Sequence, residues 1–573
     1  MNFSEMSKEE LIEYIKSLDE QTNGKYGLVW DKEKEPEKIV VECDKKIPIL
    51  KEIKKKAINN GGQNNILIEG DNFHALSVLN YTHKEAIDVI YIDPPYNTGN
   101  QDFMYNDKFV DNEDGYKHSK WLNFMEKRLM LSRGLLKETG IIFISIDDNE
   151  AYQLKIMCDK IFGVSNFVAN FIRKTSYGEK TAKPKINKHH DYCLCYSKNI
   201  SAIIEDVVLN GSEKTLDDYS NPDNDSKGDW KKDSYLIKID SGRYGYARYP
   251  ITNKYLNITH YPPVYYNEED RKQWHYVEET FRKMEKSGQV VYYKTKEEMG
   301  NSQYSFYIKK YKSSLGDIYS NISTVHFDDN EYTNSNGSKV LIDIIGKDKS
   351  IMGLYPKPVS FIKKLVDYST TYNKNATVLD FFAGSGTTGQ AVMELNAEDG
   401  GNRKFILCTN NENGICEEVT YPRLKTVITG KRQDGSKYSN GLKESLKYYK
   451  TDFVENSGTR DQLYYDLTEK CIPMLCVRGD TYNKVKVTEE YTICANDDKS
   501  KYSCIYFDIL GQKYDDFLKE VKKIKELKQL YIFNLGDSID KEPLKEIENY
   551  VVEPIPYKII ELYKKVVKMS KGE

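Results

Sequence analysis

The sequence lacks several features that would assign it to a familiar class at once. It contains no run of eighteen apolar residues, and it therefore predicts no helix that crosses a membrane. Its first residues do not show the basic and then apolar pattern of a secretory signal. None of its ten cysteines forms a Cys-x-x-Cys pair, which argues against a structural zinc site and against a disulfide framework. We therefore expect a cytoplasmic protein without a bound metal.

Phosphate-binding and charge signals are also sparse. No Gly-x-x-x-x-Gly-Lys-Ser/Thr loop is present, so the chain predicts no ATPase motor. The formal net charge is -4, which by itself argues weakly against a nucleic-acid partner. Residues 171–198 nevertheless hold seven lysines and arginines against two acids. A solvated face is the simpler interpretation of such a stretch, but a phosphate backbone needs only a local patch of this kind.

Short apolar runs that alternate with helix-period stretches predict the fold class. Such runs are typical of strands buried on both faces, and the intervening stretches have the spacing of amphipathic helices. This alternation predicts an α/β fold with a mainly parallel, doubly wound sheet. The strand-like runs are 65–68, 87–92, 140–146, 376–382 and 404–408, and two of the helical stretches are 121–136 and 151–162.

With 573 residues, the chain is long enough for two to four domains. We expect a helical region at 1–60, in which residues 10–15 open an amphipathic segment. Two halves of the sheet domain follow at 61–204 and 351–435, separated by an insert at 205–350. The insert is rich in tyrosine and in turn residues, which favours short strands and loops. A separate small α/β domain is expected at 436–573. The tyrosines of the insert include Tyr235, Tyr244, Tyr246, Tyr249, Tyr255, Tyr261, Tyr265, Tyr266, Tyr292, Tyr293, Tyr304, Tyr307 and Tyr311.

The motif Asp93-Pro94-Pro95-Tyr96 directly follows the predicted strand 87–92. Ligands bind at the carboxyl ends of strands in an open α/β sheet. The two prolines stiffen the loop and donate no hydrogen bonds, so the Asp93 carboxylate and the Pro94 carbonyl remain as acceptors. An aromatic ring such as that of Tyr96 offers a flat face to a base. The alternative is a turn in which the prolines merely end the strand.

This acceptor pair suits the methylation of an exocyclic amine. The amine of adenine is a poor nucleophile because its lone pair is delocalised into the ring. Two acceptors that hold its two hydrogens favour a tetrahedral nitrogen and free the lone pair for attack on a methyl group. A base must leave the duplex stack before such chemistry can reach it, and Tyr96 could then stack on it.

A glycine-rich stretch, 380–389, follows the later strand 376–382 and opens a helix at Thr387. Glycines allow the backbone to approach a ligand closely at a helix amino terminus. The same stretch satisfies Gly-x-Gly-x-x-Gly, and Glu412 could bind ribose hydroxyls, so an NAD- or FAD-dependent oxidoreductase is an alternative. The Asp-Pro-Pro-Tyr motif favours methyl transfer, because hydride transfer has no use for that acceptor pair.

The order of these motifs resembles that of the permuted β group of amino-methyltransferases acting on DNA. Within this group, the chain is similar to the modification subunits of type III restriction systems. The matching phrases lie at 68–76, 91–99, 103–109, 381–389 and 395–404. One departure is visible: the family often ends its second cofactor strand with Gln-Leu-Pro-Glu, whereas this chain has Thr409-Asn410-Asn411-Glu412.

The resemblance implies a set of site residues. Its implied catalytic residues are Asp93, Pro94, Pro95 and Tyr96. Its implied S-adenosylmethionine-binding residues are Asp71, Lys357, Pro358, Asp380, Phe382, Gly384, Gly386, Thr387 and Glu412. The insert corresponds to the target-recognition region. The adjacent His189 and His190 fall in a segment that the family has close to the flipped base, but a histidine pair on a basic loop is more often structural.

The activity implied by the resemblance is methylation of adenine N6 in double-stranded DNA. A homodimer and a separate nuclease–helicase subunit are the implied partners. A stand-alone adenine methyltransferase and a cytosine-N4 methyltransferase are alternatives, and so is a DNA-binding module with dead chemistry. Cytosine C5 methylation is not expected, because that reaction needs a thiolate, commonly in a Pro-Cys pair, and no Pro-Cys pair occurs.

Overall fold

The structure is a computed structural model, and it divides into two compact units. One unit comprises Met1–Asn210 and Ile322–Glu573, and the other comprises Gly211–Asn321. The predicted amphipathic segment 10–15 lies outside the described residues. The described residues are 30, 37–43, 45–99, 102–106, 108–111, 113–178, 186–205, 209, 218–233, 236–239, 247–262, 272–314, 321–346, 354–456, 459–508, 510–534 and 536–571.

A nine-stranded sheet forms the centre of the first unit. Its spatial order is β1-β9-β2-β8-β7-β3-β4-β6-β5. The six strands from β9 to β4 run parallel, whereas β1, β6 and β5 each pair antiparallel with a neighbour. The strands are β1 (Lys46–Glu52), β2 (Asn64–Glu69), β3 (Ile87–Ile92), β4 (Leu136–Ile146), β5 (Phe167–Lys174), β6 (His190–Ser197), β7 (Thr377–Asp380), β8 (Lys404–Thr409) and β9 (Ser445–Glu455).

Helices cover both faces of this sheet, so the predicted doubly wound α/β fold is confirmed. Phe73, Leu122 and Leu154 pack on one face, and Phe361 and Leu424 pack on the other. The main helices are α1 (Asn72–Thr82), α2 (Lys117–Leu135), α3 (Ala151–Phe162), α4 (Val359–Thr370), α5 (Thr387–Asp399) and α6 (Tyr421–Thr429). Further helices lie at Lys38–Glu42, Ile200–Glu205 and Asn334–Ile345, and a π-helical turn at Ile415–Thr420 precedes α6. No helix of the described ranges combines the length and the apolar character needed to cross a membrane.

Strand β1 corrects one expectation. The helical region predicted for 1–60 is wrong over Lys46–Glu52, which is an edge strand. Ile47, Ile49 and Leu50 are buried there. Pro48 lacks an N–H group, and an edge strand tolerates this loss because one side of the strand has no neighbour to bond.

Two crossover connections diverge between β7 and β3. The chain passes from β3 through α2 to β4 on one side, and from β7 through α5 to β8 on the other side. Neighbouring strands whose connections leave in opposite directions form a crevice at their carboxyl ends. Asp93 follows β3 and Asp380 ends β7, so the two sequence motifs meet at this crevice.

The carboxyl-terminal part begins later than the predicted boundary at 436, because β9 belongs to the central sheet. A five-stranded sheet follows, and two of its strands are Lys501–Tyr506 and Leu527–Asn534. Its other strands are Asn483–Val487, Tyr491–Ala495 and Tyr550–Pro556, and its helices are Arg460–Lys470, Ile472–Gly479, Tyr514–Lys522 and Tyr557–Lys571. Tyr563 packs in the same hydrophobic core as α1, and its hydroxyl donates to the Pro48 carbonyl at 2.5 Å. This part therefore shares a core with the central sheet.

The second unit, Gly211–Asn321, is shorter than the predicted insert 205–350. Residues beyond it belong to the first unit, because Ile172 and Lys174 of β5 donate backbone hydrogen bonds to Thr324 and Phe327. The described residues of the unit form short strands at Trp230–Lys232, Ile237–Ile239, Ile251–Asn253, Ile258–His260, Lys272–Trp274, Val290–Tyr292 and Phe306–Tyr311. They also form α-helices at Glu278–Lys286 and Lys296–Met299. Its core residues include Tyr249, Trp274, Phe281, Phe306 and Ile308. Tyr235, Tyr244, Tyr246, Tyr265 and Tyr266 lie outside the described residues.

Candidate active site

Asp93 lies immediately after β3, and its carboxylate forms an ion pair. The ammonium of Lys357 donates to both carboxylate oxygens at 2.7 Å. The Lys357 side chain is only 9% exposed, whereas that of Asp93 is 26% exposed. The buried lysine therefore holds the Asp93 carboxylate, which remains partly accessible to solvent.

Tyr96 is fixed by contacts at its hydroxyl and at its ring. The hydroxyl donates to the Asp191 carboxylate at 3.4 Å, and the Lys357 ammonium lies 4.9 Å from the ring centre. Burial, followed by the charges of Asp93 and Asp191, raises the pKa of Tyr96 well above its usual value. The hydroxyl therefore stays protonated. The loop itself is anchored by Trp121 of α2, whose indole N–H donates to the Pro95 carbonyl at 2.7 Å.

A buried carboxylate supports the residue that follows the motif. Asn97 adopts a left-handed backbone conformation with φ 56°, and its amide donates to Glu150 at 2.6 Å. His118 contacts the same carboxylate oxygen, also at 2.6 Å. Burial raises the pKa of Glu150. These contacts brace the end of the loop against α2 and the residues after β4.

The glycine loop after β7 is a tight turn at the amino terminus of α5. Gly384 and Gly386 have φ values of 47° and 79°, which side chains rarely adopt. The hydroxyl of Thr420, in the π-helical turn before α6, donates to the Gly384 carbonyl at 2.5 Å and so anchors the loop. The buried guanidinium of Arg423 donates to the hydroxyls of Ser385 and Thr387 at 3.1 and 2.8 Å.

Asp380 ends β7 and is almost fully buried. Its carboxylate accepts hydrogen bonds from the Phe382 backbone at 2.9 Å and from the Thr388 hydroxyl at 2.5 Å. Burial nevertheless raises the pKa of Asp380 to about 7, and the nearby charge of Asp93 adds to this effect. The site thus contains a carboxylate whose charge is poorly compensated by the protein, as a position facing a bound cation would require.

A cavity of about 140 Å³ joins these two groups of residues. It is lined by Asp93 of the Asp-Pro-Pro-Tyr motif, by residues of the glycine loop and by residues of the segment that precedes α4. Its predicted site residues are Asp93, Lys357, Asp380, Phe382, Gly384 and Thr387. The structure therefore brings together side chains that lie nearly 300 positions apart in the sequence.

Seven predicted site residues lie outside the lining of this cavity: Asp71, Pro94, Pro95, Tyr96, Pro358, Gly386 and Glu412. Asp71 caps α1 by accepting from the Phe73 backbone at 2.7 Å, and it lies 3.5 Å from Arg128. Glu412 follows β8 and is exposed. Partial desolvation, and next the charge of Asp71, raises the pKa of Glu412. Asp71 and Glu412 follow the carboxyl ends of the adjacent strands β2 and β8. Pro358 is buried and precedes the first residue of α4.

Several supporting residues escaped the sequence analysis. Arg173 is fully buried and holds Asp191 through two hydrogen bonds, of 2.9 and 2.5 Å. Neither it nor Arg423 lies in a pattern that distinguishes it from a surface arginine. Glu150 did carry a signal, because it belongs to a polar run directly after the buried strand β4, the same position that drew attention to Asp93.

His189 and His190 contact polar side chains near the surface. His189 lies 3.0 Å from the Ser176 hydroxyl, and the exposed His190 lies 3.2 Å from the Tyr192 hydroxyl. Within the ranges that the structure describes, no cluster of histidine, cysteine, aspartate or glutamate could hold a metal ion.

Comparison with known proteins agrees with this geometry. Residues 87–420 match a family described as DNA methylase. The chain is 32% identical over 394 residues to the type III restriction-modification enzyme StyLTI Mod subunit of Salmonella typhimurium, covering 64% of this chain and 56% of that protein. The chain is also 30% identical over 397 residues to the EcoPI Mod subunit of Escherichia phage P1, and this match covers 62% of this chain and 58% of that protein.

A third relative is matched over more of its length. The Type II methyltransferase M.KpnI of Klebsiella pneumoniae is 33% identical over 354 residues, which cover 60% of this chain and 79% of that protein. The matches to the two Mod subunits span little more than half of those proteins. The family match covers more than half of this chain and includes both strand-end motifs, so the chain belongs to the DNA methylase family.

Proposed function

We propose that this protein transfers a methyl group from S-adenosylmethionine to the N6 amine of adenine in double-stranded DNA. One observation carries the proposal: the acceptor carboxylate of Asp93 and the glycine loop after β7 line the same cavity. A methyl donor on the loop and an amine at Asp93 would thus be neighbours. The names of the relatives, which are Mod subunits of restriction-modification enzymes and a Type II methyltransferase, support a methyltransferase reaction.

The residues around the glycine loop fit S-adenosylmethionine. A Cβ atom at Gly384 would contact only the Phe382 carbonyl, at 3.8 Å, so the surface above this glycine is open. Asp380 offers a buried carboxylate to a cationic group, while Asp71 and Glu412 offer acceptors to hydroxyl and amino groups. Pro358, Phe382, Gly386 and Thr387 would complete the site. When bound, S-adenosylmethionine supplies a methyl group on a positively charged sulfur.

The chain's own residues would prepare the target amine. Asp93 would accept a hydrogen bond from one N–H of the amine, and the Pro94 carbonyl would accept one from the other. These two bonds free the nitrogen lone pair. Pro95 would keep the loop rigid, with its carbonyl anchored by Trp121. Tyr96 would stack on the base after it leaves the duplex. Such contacts favour the transition state because they strengthen as the nitrogen becomes tetrahedral.

Methyl transfer can be tested directly with the purified full chain. Tritiated S-adenosylmethionine and genomic DNA without adenine methylation are incubated with the wild-type protein, and the DNA is then digested to nucleosides. We expect label in N6-methyldeoxyadenosine. Label in N4-methyldeoxycytidine would instead assign the cytosine reaction, which can use the same acceptor geometry. Absence of label in both nucleosides would contradict the proposed reaction.

The second unit, Gly211–Asn321, is proposed to select the DNA sequence, because both strand-end motifs lie outside it. Exchanging this unit for that of a relative should move methylation to the relative's site, as sequencing of the modified DNA would report. An active chimera that keeps the original site would contradict this role. The matched control exchanges a surface segment of the carboxyl-terminal part and should leave the site unchanged.

We further propose that the protein acts in the cytoplasm and forms a homodimer. It would serve as the modification subunit of a type III system, together with a separate nuclease–helicase subunit. The similarity to the two Mod subunits supports the role as a modification subunit. Light scattering at micromolar concentration should give twice the mass of the chain. A monomer, with and without DNA, would contradict the dimer.

A further inference from the structure

Lys357 contacts the two side chains assigned to the target base. Its ammonium donates to both oxygens of Asp93 at 2.7 Å and lies 4.9 Å from the ring centre of Tyr96. The resemblance implied a role for this lysine at the cofactor. We propose that Lys357 is instead a positioning residue for Asp93, and that it holds the carboxylate oriented toward the target amine. This inference rests on the function proposed above.

The ion pair has the geometry that such a role requires. Charge-assisted hydrogen bonds to both carboxylate oxygens restrict rotation of the side chain far more than one bond does. Each oxygen keeps another lone pair, so an amine hydrogen can still be accepted. Because the lysine side chain is 9% exposed, little solvent competes for the ammonium. The Asp93 carboxylate is thus prepared before the base arrives.

The backbone around Lys357 is itself held in place. Helix Asn334–Ile345 approaches it so closely that a Cβ atom at Gly337 would lie 2.1 Å from the Pro356 carbonyl oxygen. Pro358 follows directly and precedes α4. A lysine on such a restrained backbone can deliver its ammonium to a defined point, as a positioning residue must.

The other carboxylate of the cavity does not account for the lysine. Asp380 accepts hydrogen bonds from the Phe382 backbone and the Thr388 hydroxyl. In the part of the chain that the structure describes, the ion pair of Lys357 is with Asp93. A lysine that served the cofactor alone would not need to contact both Asp93 and Tyr96.

The test separates binding of the cofactor from transfer of the methyl group. Lys357→Met and Lys357→Arg are compared with the wild type for equilibrium binding of S-adenosylmethionine and for single-turnover methylation of unmethylated genomic DNA at saturating cofactor. Lys357→Met should slow transfer by about ten- to a hundredfold, the range for a lost hydrogen bond to a charged group. Its cofactor dissociation constant should change by less than about threefold. Lys357→Arg should recover part of the rate, because it restores the charge and the donors.

Lys363→Met is the matched control. This variant also removes a lysine that pairs with a carboxylate, that of Glu398 on α5 at 2.5 Å, but neither residue lines the cavity. Both readouts should remain at the wild-type level. Lys357→Gln replaces Lys357→Met if the latter does not purify as a folded protein by circular dichroism.

Two results would overturn the inference. One is a loss of cofactor affinity as large as the loss of rate, or larger, which would return Lys357 to the cofactor. The other is a Lys357→Met enzyme with a wild-type transfer rate. Either result differs from failure of the proposed function, in which the wild-type protein itself would transfer no methyl group to DNA.

Discussion

Replacing Asp380 with asparagine tests whether one buried carboxylate makes the stability of the protein depend on pH. Burial raises the pKa of Asp380 to about 7, against 3.8 for the ordinary side chain. Because the folded state prefers the protonated form, the stability contributed by this group is fully present below pH 3.8. It is lost as the pH rises through about 7.

The size of the effect follows from the two pKa values. A pKa of about 7 in place of 3.8 lowers the free energy of unfolding by roughly 4 kcal/mol at pH 8 relative to its value below pH 3.8. Each pH unit between the two pKa values contributes ~1.4 kcal/mol. Roughly 2 kcal/mol of this loss falls between about pH 5.5 and about pH 8. Asparagine keeps the shape of the side chain, an acceptor for the Phe382 N–H and a group that can bond Thr388.

Urea unfolding of the wild type and of Asp380→Asn, each at the two pH values, measures this effect. Between about pH 5.5 and about pH 8, we expect the free energy of unfolding to fall by roughly 2 kcal/mol more for the wild type than for the variant. Asp367→Asn, which removes a partly exposed carboxylate of α4, should follow the wild type. Equal pH dependence of the wild type and Asp380→Asn would refute the reasoning, because the buried charge would then be compensated by contacts other than those seen here.

Three further substitutions probe separate parts of the site. Asp93→Ala should slow methyl transfer by at least a few hundredfold, from a loss of about 3–4 kcal/mol, while leaving cofactor affinity nearly unchanged; near-wild-type transfer would disprove the acceptor role. Tyr96→Ala should reduce single-turnover methylation far more than Tyr96→Phe, because stacking needs the ring and the bond to Asp191 is long; equal losses would place the function in the hydroxyl. Gly386→Val should weaken cofactor binding and lower the free energy of unfolding in urea by about 1–2 kcal/mol. The reasons are that φ of Gly386 is 79° and that a Cβ atom would lie 3.1 Å from the Thr420 methyl group. Gly400→Val, at a left-handed glycine with no neighbour within 4 Å, should cost the same strain and spare the cofactor, so equal binding by both variants would contradict a local effect.

The central sheet could be predicted because its strands are buried on both faces. Runs such as 87–92 and 404–408 contain almost only apolar residues, and the observed strands Ile87–Ile92 and Lys404–Thr409 begin and end within one residue of them. The alternation with helices then favours parallel pairing. The edge strand β1 was missed because its neighbours are lysines and glutamates, and that composition also suits a helix.

The candidate site was predictable only where polar residues follow a strand directly. Asp93, Asp380 and Glu412 occupy such positions, and so does Glu150. The supporting arginines could not be found in this way, because their role depends on packing between elements distant in sequence. Arg173, for example, also donates to the Tyr332 carbonyl, 159 residues away, at 2.8 Å.

The positions of Asp93 and Lys357 explain how a long insert can be accommodated. These two residues are 264 positions apart, and the whole of Gly211–Asn321 lies between them in the sequence. The chain leaves the first unit after helix Ile200–Glu205, and it returns where Thr324 and Phe327 pair with β5. Both of these connections belong to the first unit, and loop-closure entropy rises only slowly with the length of the chain between them. The insert can therefore vary in length and sequence, provided that its two ends remain at helix Ile200–Glu205 and beside β5.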